Sequence, residues 1–462
     1  MRSSAVMKSK VRCFCSLLPE LCAGGRRWAR VLARHFALTP KTVSEEPQTP
    51  SLLRPEQPEA ASAGAPRVAA LDALRASMMF LGVILHASLV YNSWKPGPGW
   101  AFKDPANAWP ALDWVWDFVH SFRLPLFYWV AGYLGALLAA KRGTREFLKN
   151  RLRRILLPFL AFVAVLGPLL VAASVYSFRA LRNDPDPWGR VVSVFTSDRW
   201  LPVLHLAGAT RLNGVSSVGP GFHLWFLYHL LGYALLAWAC LVWTKRFPIP
   251  AFWGRGAAGL LGSFWARTLV LLGGYAVAFV ALELTGVPTP RVPSGWWLAT
   301  DRDSWIPFVL YGGFFALGWT VYRQRLLEAF RAHPWSQLGL GLALNVVLYA
   351  SDGPRGWHLG WLAQALEAVS SGLLVFGFLA LFLRYFGEPS ARVRYLVDAS
   401  YWVYLVHLPV VCLLPGLLGP NAWWPGAKFL LVVTASVGFS LATYEWGVRR
   451  TRLGVFLNGR RG

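Results

Sequence analysis

The chain has 462 residues, of which 55% are hydrophobic and only 15% are charged. Soluble domains carry about a quarter charged residues, and a mean hydropathy of +0.41 gives more apolar surface than one core could bury. These values exclude a soluble globular enzyme, a disordered chain and a disulfide scaffold, and they predict an all-α polytopic membrane protein. The formal charge of +24 indicates either nucleic acid or an anionic surface as a partner, unless membrane topology explains it.

The first 66 residues differ in composition from the rest. Residues 1–44 are basic with Glu20 as their one acid, and residues 45–66 are rich in Pro, Ala, Ser and Glu, which is typical of a flexible linker. Pro19 and Glu20 interrupt the apolar piece of this segment, which makes it a poor signal-peptide core. We expect a cytoplasmic tail, and an organelle transit peptide is the alternative with the same composition.

Ten segments have the roughly 20 mostly apolar residues that a membrane-spanning helix needs. Together they form a membrane domain over residues 67–454, followed by a short basic tail at 455–462. The predicted spans are residues 69–91, 114–140, 155–177, 222–243, 264–286, 304–322, 336–350, 361–383, 396–416 and 427–446.

The distribution of basic residues predicts the orientation, because Lys and Arg are retained on the cytoplasmic side. If the N-terminus lies inside, 32 of the 46 Lys and Arg fall on the cytoplasmic side, 11 on the other side (counting Lys428 at the outer end of the last span) and three deeper within spans. This split predicts ten spans with both termini cytoplasmic, in a multi-pass protein of the inner (plasma) membrane. It also accounts for most of the positive charge without nucleic acid as a partner.

The first span carries three ionisable residues, Asp72, Arg75 and His86. The eleven residues from Arg75 to His86 turn a helix through almost three full turns and rise about 16 Å, so the three side chains share a face. An ion pair between Asp72 and Arg75 at the helix mouth is the structural interpretation of those two. An ionisable residue within the bilayer is costly and marks a function by default, so we predict a functional role for His86.

The ninth span carries Ser400, Tyr404 and His407 at positions i, i+4 and i+7, which also lie on one helix face. An interhelical hydrogen bond from Tyr404 or His407 would explain these residues structurally. A catalytic role explains them equally well, and the pattern leaves both open.

The fourth span begins with His223 and Trp225 at its outer mouth, whereas His229 lies on another side of the same helix. His223 and His229 therefore cannot both face one site. We predict that His223 and Trp225 line the mouth and that His229 is a packing residue.

A basic loop over residues 141–158 joins the second and third spans, with Arg151, Arg153 and Arg154 directly before an apolar run. Guanidinium groups suit phosphate because they offer forked donors. The loop therefore predicts a cradle for a phosphorylated donor arriving from the cytoplasm. Ordinary cytoplasmic charge and lipid headgroup binding are the structural alternative.

The chain resembles the acyltransferase-3 family of integral membrane enzymes over about residues 67–454. Arg75 and His86, with ten residues between them, match the hallmark of the family's first helix, whereas Ala131 replaces the family's usual Ser in the second. The end of the chain resembles the branch that contains the glucan-biosynthesis C-protein. The matching segments are LDALRASMMFLGVILHASLVY from Leu71, FRLPLFYWVAGYL from Phe122, Arg151-x-x-Arg154 before ILLP, HLWFL from His223, SYWVYLVHLP from Ser400 and the terminal TYEWGVRRTR.

The resemblance implies transfer of an acyl group, acetyl or succinyl, from acyl-CoA to a hydroxyl of an extracytoplasmic carbohydrate such as a glucan. It implies that Arg75 and His86 are the catalytic or donor-positioning pair and that Arg151 and Arg154 bind the donor. It assigns an acceptor-side or supporting role to His223, Trp225, Ser400, Tyr404 and His407. Acyl-CoA is a co-substrate, and we expect no cofactor. Since the chain ends 16 residues after its last predicted span, we expect it to act alone or with a separate extracytoplasmic partner.

The chemistry of acyl transfer agrees with this assignment. A base must take the hydroxyl proton, and His86 suits that role because imidazole can be neutral near pH 7. Arg75 cannot act as a base, so its role is donor positioning or charge stabilisation. A relay through an acylated His86 is an alternative to direct attack. No cysteine pair or His/Cys cluster has metal-binding spacing, so no metal site is predicted.

Two other classes of protein stay open from the residues alone. A transporter or flippase of a polar lipid or glycan would line its path with the same intramembrane histidines and arginines. Transporters are often built from internal repeats, and we detect none between the two halves. A purely structural membrane scaffold leaves His86 unexplained.

Overall fold

A computed structural model of the chain describes residues 64–93, 100, 102–197, 211–212, 215–216, 222–247, 251–284, 302–351, 361–388, 390–424 and 426–458. The predicted tail over residues 1–66 lies almost entirely outside the described residues. The described part is almost wholly helical, which confirms the all-α prediction. Its strands are the two-residue pair β1 (Arg211–Leu212) and β2 (Val215–Ser216), which run antiparallel.

Thirteen helices make up most of the described part of the chain. They are α1 (Gly64–Tyr91), α2 (Ala111–Arg151), α3 (Leu157–Ala180), α4 (Pro187–Thr196), α5 (Trp225–Arg246), α6 (Ala251–Gly262), α7 (Phe264–Leu284), α8 (Arg302–Arg323), α9 (Pro334–Ser351), α10 (Trp361–Tyr385), α11 (Ala391–Leu418), α12 (Ala427–Thr443) and α13 (Arg452–Asn458). Two π-helical turns, Leu152–Leu156 and Tyr444–Val448, follow α2 and α12. The helices α4, α6 and α13 lie outside the predicted spans.

The ten predicted spans coincide with α1, α2, α3, α5 and α7 to α12. Among the described residues, six helical stretches are long and apolar enough to cross a membrane, or seven if the pair 255–262 and 264–274, bent by 97°, counts as one. The longest, Ala111–Ala180, has 70 residues and would extend about 105 Å, far more than one bilayer. Gly143, at a φ of 81°, breaks it. A multi-pass membrane protein is therefore confirmed, whereas ten crossings and their sidedness remain predictions.

The central helix of the bundle is α1, which packs against α2, α10, α11 and α12. The helix α2 also packs closely against α8, and two glycines, one on each helix, lie at this contact. A Cβ added at Gly132 would overlap the Phe315 carbonyl, and one added at Gly318 would overlap the Trp129 carbonyl. Small residues of this kind allow two membrane helices to approach backbone to backbone.

A proline within α2 is compensated by a neighbouring helix. Pro125 has no N–H, so the Ser121 carbonyl four residues earlier lacks its helical donor. The Ser371 hydroxyl of α10 donates to that carbonyl instead. The contact ties α10 to α2 in the middle of the bundle.

The C-terminal end of α1 is covered by an end cap, which consists of residues 102–113, 419–424 and 426–428. At its centre is a buried ion pair, in which the Lys428 ammonium lies 3.1 Å from the Asp104 carboxylate and both side chains are at most 1% exposed. The Asn107 amide donates to the same carboxylate at 3.0 Å and to the Asn421 carbonyl at 3.0 Å. These bonds join two segments that lie more than 300 residues apart in the chain.

The end cap also satisfies the last carbonyls of α1. The backbone N–H of Asp104 donates to Val90, and that of Trp109 donates to Tyr91. The Lys103 ammonium donates to the Leu89 carbonyl at 2.6 Å. Burial lowers the pKa of Lys103 to about 8, while the nearby Asp113 carboxylate acts in the opposite direction.

Candidate active site

Three histidines from three separate elements meet below the end cap. His86 lies on α1, His223 in the single turn before α5, and His407 on α11. Their ring centroids are 5.4 Å apart for His86 and His407, 6.4 Å for His86 and His223, and 5.2 Å for His223 and His407. These three residues are the histidine cluster. The structure therefore brings together the predicted histidine of the first span and two of the predicted acceptor-side residues.

The position of His223 is set by a reciprocal pair of hydrogen bonds with α11. Its Nε2 lies 3.1 Å from the Tyr404 carbonyl and 3.2 Å from the Leu405 carbonyl. In return, the Tyr404 hydroxyl donates to the His223 carbonyl at 2.9 Å. Pro409 lies four residues after Leu405 and has no N–H, so the Leu405 carbonyl lacks a helical donor and can accept from His223. Pro409 thus makes the Leu405 carbonyl available as a hydrogen-bond acceptor for His223.

The hydrogen bonds also define which nitrogen of His223 and of His407 is protonated. Carbonyl oxygens only accept, so Nε2 of His223 carries a proton. His407 is fully buried, and its Nδ1 lies 3.0 Å from the Val403 carbonyl and 2.9 Å from the Tyr404 carbonyl. Nδ1 of His407 is therefore its protonated nitrogen. In the neutral rings this leaves a lone pair on Nδ1 of His223 and on Nε2 of His407, and neither has a hydrogen-bond partner among the described residues.

His86 completes the cluster from α1. Its ring stacks on Trp100 with centroids 6.0 Å apart and an interplanar angle of 18°. Its Nδ1 is buried and has no hydrogen-bond partner in the described part of the chain. Each of the three rings therefore presents one nitrogen that is available to accept or carry a proton.

A second group of predicted residues meets around Arg75, in the N-terminal half of α1. Arg75, Arg151 and Arg154 are close enough for their charges to interact, and they are called the arginine cluster. Arg75 forms the expected ion pair with Asp72 at 3.2 Å, with both side chains about one-third exposed. Since His86 lies eleven positions after Arg75 on α1, the two clusters lie about 16 Å apart along the helix. Arg75 is thus grouped with the other arginines and not with His86.

The π-helical turn Leu152–Leu156 shapes the arginine cluster. Within it the N–H of Leu157 bonds to the Leu152 carbonyl, five residues earlier. The Tyr401 hydroxyl of α11 donates to the Arg154 carbonyl at 3.2 Å, which ties this turn to the helix that carries His407. Such π turns occur frequently at functional sites.

Two other predicted site residues point elsewhere. The Ser400 hydroxyl donates to the Val397 carbonyl of its own helix at 2.8 Å. The Trp225 ring packs edge-on against His229, with centroids 5.2 Å apart. His229 is fully buried among aromatic rings, as a packing residue would be. Neither Ser400 nor Trp225 makes a described contact with the histidine cluster.

Two residues near the histidine cluster were not among the predicted site residues. Arg123 of α2 is buried with 8% exposure, and its charge acts on all three histidines. An ionisable residue within a predicted span was the signal that could have identified it. Trp100 lies in a connecting segment without a periodic pattern, so no sequence signal marked it.

A cluster of three histidines raises the question of a metal. In the part of the chain that the structure describes, no group of three or more His, Cys, Asp or Glu side chains is arranged to hold a metal ion. Two of the ring nitrogens, Nε2 of His223 and Nδ1 of His407, are turned toward backbone carbonyls. The arrangement suits proton transfer, because Nδ1 of His86, Nδ1 of His223 and Nε2 of His407 have no hydrogen-bond partner among the described residues.

Comparison with known proteins gives a consistent result over most of the chain. Residues 68–445 match the acyltransferase-3 family, described as an acyltransferase domain. Proteins named Glucans biosynthesis protein C from Salmonella schwarzengrund, Salmonella typhi and Salmonella typhimurium are each 25% identical over 410 residues, which cover 86% of this chain and 96% of each relative. No solved structure gives a significant match. The chain belongs to the acyltransferase-3 family, and it is a multi-pass membrane acyltransferase that transfers groups other than aminoacyl groups.

Proposed function

We propose that the protein moves an acyl group, acetyl or succinyl, from cytoplasmic acyl-CoA to a hydroxyl of an extracytoplasmic carbohydrate such as a glucan, and that it does so in the inner membrane. The observation that carries this proposal is the placement of two different clusters about 16 Å apart along α1. The arginine cluster around Arg75 suits an anionic donor, and the histidine cluster around His86, nearer the C-terminal end, suits proton transfer.

The shape of acyl-CoA fits two separated clusters. Its phosphates are joined to its thioester by the long, thin pantetheine arm. Phosphates held by the forked guanidinium groups of Arg75, Arg151 and Arg154 would leave the arm free to extend along α1. The thioester would then reach the histidine cluster about 16 Å away. Separation of the two clusters is thus a requirement of this donor.

The histidine cluster supplies the base. His86 takes the proton of the acceptor hydroxyl as the oxygen attacks the thioester carbonyl, and it returns the proton to the departing CoA thiolate. His223 and His407 surround it with rings whose tautomers are held by backbone carbonyls. Direct attack and an acylated His86 relay use the same arrangement, and they differ in whether His86 forms a bond to the acyl carbon.

The acceptor is proposed from the relatives, whose name refers to glucan biosynthesis. With both termini in the cytoplasm, the end cap would lie on the extracytoplasmic side, where a glucan acceptor arrives. Trp100, stacked on His86, provides an aromatic surface of the kind that packs against sugar rings. A separate extracytoplasmic partner protein is compatible with this arrangement.

The proposal is tested with the purified full chain in lipid nanodiscs. The protein is incubated with radiolabelled acetyl-CoA or succinyl-CoA and with oligomeric glucan, and the label on the glucan and the free CoA thiol are both measured. We expect equimolar acylated glucan and CoA from wild type and neither product from His86→Ala. A second preparation in proteoliposomes measures uptake of unmodified glucan. If neither donor loses its acyl group and glucan enters the proteoliposomes, the protein is a transporter instead.

A further inference from the structure

Arg123 is a buried arginine that lacks partners for most of its donors. Its Nε donates to the Met78 carbonyl of α1 at 2.7 Å. Its two terminal nitrogens form no hydrogen bond or ion pair with any residue that the structure describes. A guanidinium has five N–H donors and remains charged, and burying a charge without a partner is unfavourable. Arg123 therefore has both charge and donors available for an anion.

The other buried arginine of the described spans shows what a structural role looks like. Arg267 is 4% exposed, and its two terminal nitrogens donate to the Leu261 and Ala329 carbonyls, each at 2.8 Å. Its guanidinium also lies over the Phe330 ring, 4.2 Å from the centroid. The fold thus gives both terminal nitrogens of Arg267 a carbonyl acceptor, and it does not do the same for Arg123.

The free end of Arg123 lies beside the histidine cluster. A methyl group at Gly82 of α1 would overlap its guanidinium, so the absence of a side chain at Gly82 creates the space that Arg123 fills. Gly82 is one helical turn before His86 on the same face, a rise of about 6 Å. The guanidinium therefore lies one turn from the proposed base, on the side of the arginine cluster from which the donor arrives.

We propose that Arg123 stabilises the oxyanion of the acyl-transfer reaction, with its terminal N–H groups directed at the acyl carbonyl oxygen. The proposal rests on the proposed function, because it takes a thioester at the histidine cluster as given. Arg75 is excluded from this role by its distance of about 16 Å from His86 along α1. Positive charge held in a buried site at the point where negative charge develops is a strong source of catalysis.

Atoms and electrons balance in this step. The acceptor oxygen forms a bond to the acyl carbon while its proton passes to His86, and the carbonyl π pair moves onto the carbonyl oxygen, where Arg123 meets the new negative charge. The carbonyl then re-forms, the carbon–sulfur bond breaks, and the CoA thiolate takes the proton from His86. The products are the ester and CoA, and Arg123 returns to its starting state.

The test compares Arg123→Gln, Arg123→Lys and Gly82→Ala with wild type in the nanodisc assay, using acetyl-CoA and succinyl-CoA in parallel. For Arg123→Gln we expect kcat to fall about 10²–10³-fold with both donors, while both KM values stay within a few-fold. Arg123→Lys should recover part of the loss because it restores the charge, and Gly82→Ala should lower kcat by displacing the guanidinium. Arg267→Gln is the matched control, and it should reduce thermal stability without a selective loss of kcat.

Several outcomes would overturn the proposal. Wild-type kcat in folded Arg123→Gln would remove Arg123 from the reaction. Loss confined to succinyl-CoA would show that Arg123 recognises the carboxylate of the acyl group and not the oxyanion. If Arg123→Gln does not fold, an unchanged kcat in folded Gly82→Ala likewise removes Arg123 from the reaction. Wild type that fails to transfer acyl groups at all would refute the proposed function instead.

Discussion

The two clusters along α1 are sites of opposite construction. The histidine cluster is assembled from three elements that lie far apart in the chain, is largely buried, and has the tautomers of two of its rings, His223 and His407, held by backbone carbonyls. The arginine cluster draws one member from the last residue of α2 and one from the π-helical turn that follows it. It is partly exposed and contains a single described carboxylate contact, between Asp72 and Arg75. Buried rings that are held in place by hydrogen bonds suit proton transfer. Partly exposed guanidinium groups suit the recognition of an anionic donor, because the donor reaches them from water.

The largest expected effect is the loss of kcat when His86 of the histidine cluster is replaced, compared with the replacement of a histidine outside the cluster. His86→Ala should lower kcat about 10²–10⁴-fold, because the base is lost, while the protein remains inserted and folded. His229→Phe is the matched control, since His229 is a fully buried histidine that packs among aromatic rings. The rates are measured by acyl transfer in nanodiscs, and folding is checked by thermal unfolding. Full activity of His86→Ala would contradict the assignment of the base.

The second prediction separates binding from chemistry. Arg151→Ala combined with Arg154→Ala should raise the KM for acyl-CoA about 10–100-fold, since charge-assisted hydrogen bonds to phosphate are lost. The KM for the acceptor should change little. Arg153→Ala is the control, because Arg153 lies exposed in the same π-helical turn. Steady-state kinetics with each substrate varied in turn provide the measurement, and equal losses for donor and acceptor would indicate a folding role.

The third prediction tests how the histidine cluster is supported. Tyr404→Phe removes the hydrogen bond from the Tyr404 hydroxyl to the His223 carbonyl and should lower kcat about 3–10-fold. Ser400→Ala, one turn earlier on α11, should stay within about 2-fold of wild type because its hydroxyl bonds only within its own helix. A Ser400→Ala loss as large as that of Tyr404→Phe would mean that Ser400 acts in the site.

The smallest effect concerns the end cap over the histidine cluster. Burial lowers the pKa of Lys103 to about 8 from about 10.4 in an unfolded chain. Between these values the unfolded state binds the extra proton, so stability rises with pH. The Tm of wild type minus the Tm of Lys103→Met should therefore increase by a few degrees from pH 7 to pH 10. Thermal unfolding at both pH values measures this, and a constant difference would show that Lys103 is not desolvated.

The sequence by itself determined the parts of the molecule that depend on local pattern. Apolar length predicted the ten segments that are helical in the structure, because a bilayer demands about 20 apolar residues whatever the neighbours are. The spacing of Arg75 and His86 predicted that the two lie on one face of α1, because a helix has a constant rise and turn. The ion pair between Asp72 and Arg75 and the packing role of His229 followed from the same periodicity.

Which of these residues lie in the same cluster depends on how the helices pack, and this is seen only in the tertiary structure. Residues 86, 223 and 407 meet because α1 packs against α11 and the turn before α5 is hydrogen-bonded to α11 through His223 and Tyr404. No spacing along the chain encodes these distances. The packing of the helices also places Arg75 with Arg151 and Arg154, and it brings Arg123 of α2 to His86. The Ser400 hydroxyl bonds within its own helix instead. The physical reason is that a helix face is set by local geometry, whereas its partner is set by packing between helices, where features such as the missing side chain of Gly82 select which charge can approach.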